Sequence, residues 1–234
     1  MKFSITNEQK SFFHHQGTIE FEGLLSTQEA SILQCNVRDE IALRLSLSHL
    51  ELGKLRSDEL YLVGRDLWRS SDDIRKMISR RRFGEMASQL INTKLLRLGY
   101  DQYFPAPKLT MTLHKMYQQL LSHAKTLHSY GSIQGVLCGL MLCIAGSKSA
   151  PVEGDLKIFS SAPGNGVFFI PSLAIDFTDV FNHMGQDYYL IVYANAKSVY
   201  TLNREDIHSR DWINLGYDFG DKLSDKLHPI IYRQ

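Results

Sequence analysis

Short apolar runs closed by turn residues occupy the second half of the chain, between His128 and Tyr200. They are rich in Val, Ile, Tyr and Phe, which favour β-strands, and each is followed by Gly, Pro or Asn. The runs cover residues 135–145, 154–159, 166–171 and 187–194. Runs with little polar alternation are typical of strands buried in a sandwich or barrel. The pattern therefore predicts a β-rich core in this half.

The first half has a helical pattern. Ser26 and Glu29 have the spacing of a capping box, in which each side chain binds the backbone of the other. After them, Leu33, Val37, Ile41 and Leu45 recur every fourth residue and share one helical face. A second helix is predicted over 57–68, with Leu60, Leu67 and Trp68 in the core. A third is predicted from the hydroxyls and carboxylates at 70–73 to about residue 92.

The remaining segments complete an α+β prediction. Residues 18–21 and 94–104 have strand patterns, 110–121 fits either a strand or a short helix, and 217–234 fits an edge strand or a short helix. We expect one domain over residues 1–234. Its helix-rich part, about 1–92, would wrap a β-rich core over about 94–234. A jelly roll packed by helices is the architecture that fits this order.

Composition narrows the class of protein. The chain has 234 residues, of which 44% are hydrophobic, so a large core needs no disulfides. The formal net charge is +1, so no strong field favours nucleic acid. Its three cysteines have no metal-binding or disulfide spacing. Without a secretory leader pattern or a long apolar segment, we expect a cytoplasmic protein that does not enter the membrane.

One segment, Arg75–Arg82, concentrates positive charge on the predicted third helix. It could bind phosphate groups, or it could be a solvated helix face balanced by Asp72, Asp73 and Glu85. We favour the second interpretation, because a basic helix in a nearly neutral chain is weak evidence for nucleic-acid binding. Whether this segment has a partner stays open.

A family resemblance rests on residues spread along the chain. The opening of the sequence resembles that of phytanoyl-CoA dioxygenase-like proteins, a branch of the Fe(II)- and 2-oxoglutarate-dependent oxygenases. Arg97-Leu98-x-Tyr100-Asp101-Gln102 is similar to the strand that precedes their core. The opening residues are Phe13, Gly17, Gly23, Leu24, Leu25, Ser26 and Glu29. The resemblance implies a double-stranded β-helix, a cupin-like jelly roll, with helices outside.

The same resemblance implies a site built from a His-x-Asp pair, a distant His and an Arg. The first His matches His128, but Tyr130 stands where the carboxylate is expected. The second His matches His183, just before the strand that should carry the Arg. That strand has no Arg: Tyr189, Val192 and Tyr193 occupy it, and Lys197 and Arg204 come too late. A phenol, with a pKa of about 10, is a poor iron ligand at neutral pH.

Three hypotheses follow. The first is a degenerate member that keeps the fold without oxygenase chemistry and acts as a binding or interaction module for an unknown small molecule or protein. It has no catalytic, cofactor-binding or metal residues. The second is an iron-dependent transcriptional regulator that uses the basic helix. The third is an active oxygenase in which His128 and His183 bind iron with Asp176, Asp179 or Asp187.

Cofactors depend on which hypothesis holds. None is expected for the degenerate member, and Fe(II) with 2-oxoglutarate is expected only if the family chemistry survives. Other motifs are absent from the sequence: no phosphate-binding loop follows the glycines at 164 and 166, and no serine-hydrolase elbow is present. His14 and His15 are adjacent on a predicted helix and point apart, which favours a surface position. The oligomeric state stays open.

Overall fold

A six-stranded antiparallel sheet lies at the centre of the molecule. The computed structural model describes residues 4–106, 121, 124–146, 158–175 and 186–234. The strand order is β1-β4-β3-β5-β2-β6. The strands are β1 (Thr18–Phe21), β2 (Leu95–Phe104), β3 (Ile133–Ala145), β4 (Gly166–Phe169), β5 (Asp187–Tyr200) and β6 (Ile230–Arg233).

The two long central strands are buried on both faces, which explains their continuous apolar sequences. Along β5, Tyr189, Ile191 and Tyr193 enter one cluster, whereas Leu190 and Val192 enter another. This alternation follows from the pleat, which points successive side chains to opposite sides. The first cluster includes most of the buried side chains of the helices in the first half of the chain, so we call that side the helix-covered face and the other side the opposite face.

Helices from the first half of the chain cover the first face. Capping boxes begin three of the first four, including the Ser26–Glu29 box that the sequence predicts. Their apolar faces supply the buried residues Leu33, Val37 and Ile41. These helices are α1 (Asn7–Gln16), α2 (Thr27–Leu45), α3 (His49–Leu52), α4 (Ser57–Val63), α5 (Asp72–Ile78) and α6 (Arg81–Leu90). Two short helices, α7 (Leu127–Tyr130) and α8 (Ser209–Asn214), come later in the chain and place Tyr130 and Trp212 in the opposite-face cluster.

Two predicted helices are shorter than expected. The helix predicted over 57–68 ends at Val63, and Leu67–Arg69 forms a separate 3-10 turn. At Gly64 the chain passes so close to β2 that a Cβ would lie 3.0 Å from Tyr103 Cβ. The helix predicted from 70–73 to about 92 is two helices, α5 and α6, since Arg80 has an extended backbone that breaks it.

The other boundaries are close to prediction. β2 matches the strand predicted over 94–104, and the tail forms the edge strand β6 beside it. The predictions for 110–120 and 154–157 fall outside the described residues. The α+β class is confirmed by an antiparallel sheet with helices against it, whereas the double-stranded β-helix stays a prediction. Within the described ranges, no helix combines the length and apolar character that crossing a bilayer requires.

Candidate functional site

The segment matched to the His-x-Asp pair forms the short helix α7 before β3. Thr126 begins it with a capping box to Ser129, which fixes the direction of the two side chains of interest. His128 points into solvent, whereas Tyr130 is only 3% exposed. The imidazole and the phenol therefore have different environments, although they are two residues apart.

Tyr130 is held in the interior as a neutral phenol. Its hydroxyl lies 2.6 Å from the hydroxyl of Tyr61, so the two share a hydrogen bond. Burial raises the pKa of Tyr130 well above its usual value, and burial also raises that of Tyr61 to about 12. Neither group carries a negative charge at neutral pH.

A buried guanidinium completes the surroundings of Tyr130. Arg65 is 6% exposed, and its Cζ lies 5.0 Å from the centre of the Tyr130 ring and 4.1 Å from that of Tyr100. Cations are attracted to such ring faces, more strongly away from water. The nearest carboxylate is Asp206, 3.9 Å away. We call Tyr61, Arg65, Tyr100, Tyr130 and Asp206 the Arg65 cluster.

The backbone directs Arg65 into this position. The residue forms an isolated bridge with Gln102 of β2, and its Nε donates to Gln102 Oε1 over 2.9 Å. Gly131 lets the Tyr100 ring lie directly against the chain after α7, because a Cβ there would be 2.7 Å from a ring carbon. The cluster is therefore fixed by packing as well as by charge.

Asp206 is held by donors other than Arg65. Ser132 Oγ donates to it over 2.7 Å, and the backbone N–H of His208 donates over 3.0 Å. Two buried atoms nearby have no hydrogen-bond partner among the described residues: the Tyr100 hydroxyl and His208 Nε2. Both atoms therefore have unused hydrogen-bonding capacity in the folded protein. A buried polar atom without a partner lowers the stability of the fold.

The other residues considered from the sequence do not join this cluster. Lys197 and Arg204 are exposed. Asp187 lies at the start of β5, where it binds Gln34 of α2 on the helix-covered face. His183, Asp176 and Asp179 lie outside the described residues. His14 and His15 are exposed, as expected.

The described residues do not fit an iron site around His128. Such a site needs two imidazoles and a carboxylate converging on one side of the metal. Tyr130 supplies a neutral phenol instead, and Asp187 faces the other side of the sheet. The part of the chain that the structure describes contains no group of three His, Cys, Asp or Glu residues able to hold a metal.

Positive charges on α5 and α6 are largely neutralised by neighbours. Arg75 pairs with Asp72, and Lys76 pairs with Asp73. Arg80 and Arg82 both contact the carboxylate of Glu29 on α2. Arg81 remains exposed. These contacts favour the solvated-face interpretation of the basic segment over a phosphate-binding surface.

Sequence reasoning missed Arg65, Asp206 and His208. Each is a single polar residue in a loop or at a helix start, where burial has no local pattern. The bridge between Arg65 and Gln102 joins distant segments, so no spacing rule could reveal it. The only available signal was Tyr130 itself, the residue that departs from the family pattern.

Comparison with known proteins gives the fold. No protein-family model and no curated protein matches the sequence. Among solved structures, the non-heme alpha-ketoglutarate-dependent carbocyclase SnoK from nogalamycin biosynthesis matches with a TM-score of 0.63 at 14% identity, over 97% of this chain and 96% of that chain. The epimerase SnoN from the same biosynthesis matches with a TM-score of 0.59 at 14% identity, over 96% and 97%.

A third match is too weak to establish a common fold. CT296 from Chlamydia trachomatis has a TM-score of 0.48 at 15% identity, over 83% of this chain and 99% of that chain. The matches to SnoK and SnoN span almost the whole chain, and they confirm the resemblance seen in the sequence at the level of the fold. The chain has the fold of these two non-heme, alpha-ketoglutarate-dependent enzymes.

Proposed function

We propose that this chain is a non-catalytic binding protein built on the scaffold of the Fe(II)- and 2-oxoglutarate-dependent oxygenases. The observation that carries the proposal is the state of Tyr130. It occupies the position matched to the metal-binding carboxylate, and it is neutral, buried and hydrogen-bonded to Tyr61. A side chain held in this way does not supply the anion that the family's iron site requires.

The missing cation on β5 supports the same conclusion. The 2-oxoglutarate carboxylate needs a basic partner, best a two-pronged arginine. In the opposite-face cluster, the buried side chains of β5 are Tyr188, Leu190, Val192, Ala194 and Tyr200, and none is charged. A co-substrate bound there would bury a carboxylate without a counter-charge from this strand, which is unfavourable.

The regulator hypothesis has less support. Most of its basic residues are paired with carboxylates, and a DNA-binding surface depends on free cations that release counterions. If the protein were such a regulator, its DNA affinity would fall steeply with added salt. We expect no measurable salt-dependent binding to duplex DNA.

The direct test measures iron and co-substrate together. Purified protein is incubated anaerobically with Fe(II) and 2-oxoglutarate, and iron per chain and succinate formation are measured. We expect iron well below one equivalent and no succinate. The His128→Ala variant should give the same values as wild type. One iron per chain with succinate formation, both lost in His128→Ala, would refute the proposal.

A second variant tests the role of Tyr130. Tyr130→Asp restores a carboxylate two residues after His128, and Tyr130→Phe is its control without charge. We expect Tyr130→Asp alone to raise iron retention, because it supplies the missing ligand type. Equal iron retention in wild type and Tyr130→Asp would show that Tyr130 is not what prevents binding.

A further inference from the structure

A cleft of about 410 Å³ opens on the helix-covered face, away from His128 and Tyr130. It lies where the ends of β2, β3 and β5 meet α2, α3 and α4. Its volume is within the range of small-molecule sites, roughly 300–1,000 Å³. Its lining combines polar and charged groups with the apolar side chains of Ile41, Leu52 and Leu60.

The anionic group of the cleft is Asp187. Its carboxylate is 7% exposed and accepts hydrogen bonds from the Ala106 N–H over 2.7 Å and the Gln34 amide over 2.8 Å. Both donors are neutral, and Asp187 makes no ion pair with any residue that the structure describes. A carboxylate has about four acceptor positions, so capacity remains. A buried carboxylate without a counter-charge is suited to a cationic ligand group.

The cationic group of the cleft is Arg38 of α2. Its side chain is exposed, and within the described ranges it has no ion pair. Tyr103 lines the same cleft as both charges. Burial and the neighbouring Asp187 raise the pKa of Tyr103 well above its usual value, whereas Arg38 lowers it. An anion and a cation therefore face one small cleft, with Tyr103 near each of them.

The position of Asp187 is built rather than accidental. Ala106, which donates to it, has its own carbonyl bound by Ser57 Oγ at the start of α4 over 2.7 Å. Gln34 and Arg38 are one turn apart on α2 and share a face. Two helices and the start of β5 thus hold the polar groups of the cleft in place.

We propose that this cleft binds a zwitterionic α-amino acid with an apolar side chain. The ammonium group would pair with Asp187, the carboxylate with Arg38, and the side chain would lie on Ile41, Leu52 and Leu60. This assignment uses each part of the lining, whereas a simple amine leaves Arg38 unused and a simple acid leaves Asp187 without a counter-charge.

The test compares three probes by isothermal titration calorimetry: L-leucine, isopentylamine, which lacks the carboxylate, and 4-methylpentanoate, which lacks the amine. We expect leucine to bind about tenfold or more tightly than either, since each lost charged hydrogen bond is worth about that factor. Arg38→Gln should reduce leucine binding to the level of isopentylamine. Arg81→Gln, an exposed arginine outside the cleft, is the matched control and should change nothing.

Other results would overturn the assignment. They are the absence of heat from leucine up to its solubility limit, equal affinity for leucine and isopentylamine, or equal effects of Arg38→Gln and Arg81→Gln. Asp187→Asn should also abolish leucine binding, and if it does not fold, the exposed Arg38 variant decides alone. The site is independent of the proposal on Tyr130: iron binding at His128 would leave it intact.

Discussion

Two buried carboxylates, one on each face of the sheet, have opposite surroundings. Asp206 is 5% exposed and Asp187 is 7% exposed, so burial does not distinguish them. Asp206 faces the guanidinium of Arg65 inside an enclosed aromatic cluster, whereas Asp187 has only neutral donors and faces an open cleft. The comparison indicates that one carboxylate has a structural counter-charge within the fold and the other is available to a ligand.

The largest expected effect comes from removing the buried cation. Arg65→Met would leave Asp206 without its counter-charge and should lower the free energy of unfolding by about 3–5 kcal/mol. Urea denaturation measures this. Arg38→Met, the exposed arginine of the cleft, should change stability by less than about 0.5 kcal/mol. Adding Asp206→Asn to Arg65→Met should restore part of the loss, and a loss unchanged in the double variant would contradict the pairing.

An intermediate effect concerns the pH dependence of the folding stability. One titratable group on each face of the sheet contributes to it, with opposite sign. Asp101, on the helix-covered face, accepts hydrogen bonds from Leu67, Trp68 and Tyr189, yet burial raises its pKa to about 7. The folded state therefore holds this proton more tightly than the unfolded state. The contribution of Asp101 to the free energy of unfolding is complete below about pH 4 and is lost as pH rises to about 7.

His228 gives the reverse dependence. It stacks on Trp212 in the opposite-face cluster, donates through Nδ1 to the Gly99 carbonyl and accepts at Nε2 from Arg69. Burial lowers its pKa to about 2, so the folded state keeps the ring neutral. Its contribution is present above about pH 6.5 and is lost as pH falls towards 2.

The contributions of Asp101 and His228 to the free energy of unfolding change in opposite directions between about pH 4 and 6.5. Each changes by at most about 1.4 kcal/mol per pH unit. Relative to wild type, Asp101→Asn should make stability rise more steeply with pH in this window. His228→Phe should instead make stability fall as pH rises through this window. Chemical denaturation at each pH, compared as slopes, measures the effect, and parallel curves for all three proteins would show that neither group is shifted.

The smallest effect tests the hydrogen bond between Tyr61 and Tyr130. Tyr61→Phe or Tyr130→Phe alone should cost about 1–3 kcal/mol, because each change removes one partner of a buried hydrogen bond. The double variant should cost less than the sum, and the difference measures the coupling. Tyr232→Phe, at the sheet edge, is a control that should not couple to either. Strict additivity of the two changes would contradict a direct contact.

Sequence patterns predicted the fold better than the site, for physical reasons. Strand β5 and the helix begun by Ser26 follow from local spacing, since burial and capping repeat at fixed intervals. The break between α5 and α6 has no Gly or Pro to mark it. Arg65 and Asp187 depend on contacts between distant segments, which one sequence does not display. Tyr130 was recognised only because it departs from a family pattern.

The strand order has a consequence for solubility. β1 and β6, each four residues long, lie at the two ends of the order. A short terminal strand presents few unpaired backbone groups to another molecule, which limits intermolecular pairing. β6 covers β2 at Leu95–Arg97. Until β6 docks, that side of β2 offers its amides and carbonyls to any extended chain, so undocking of β6 would create a route to aggregation.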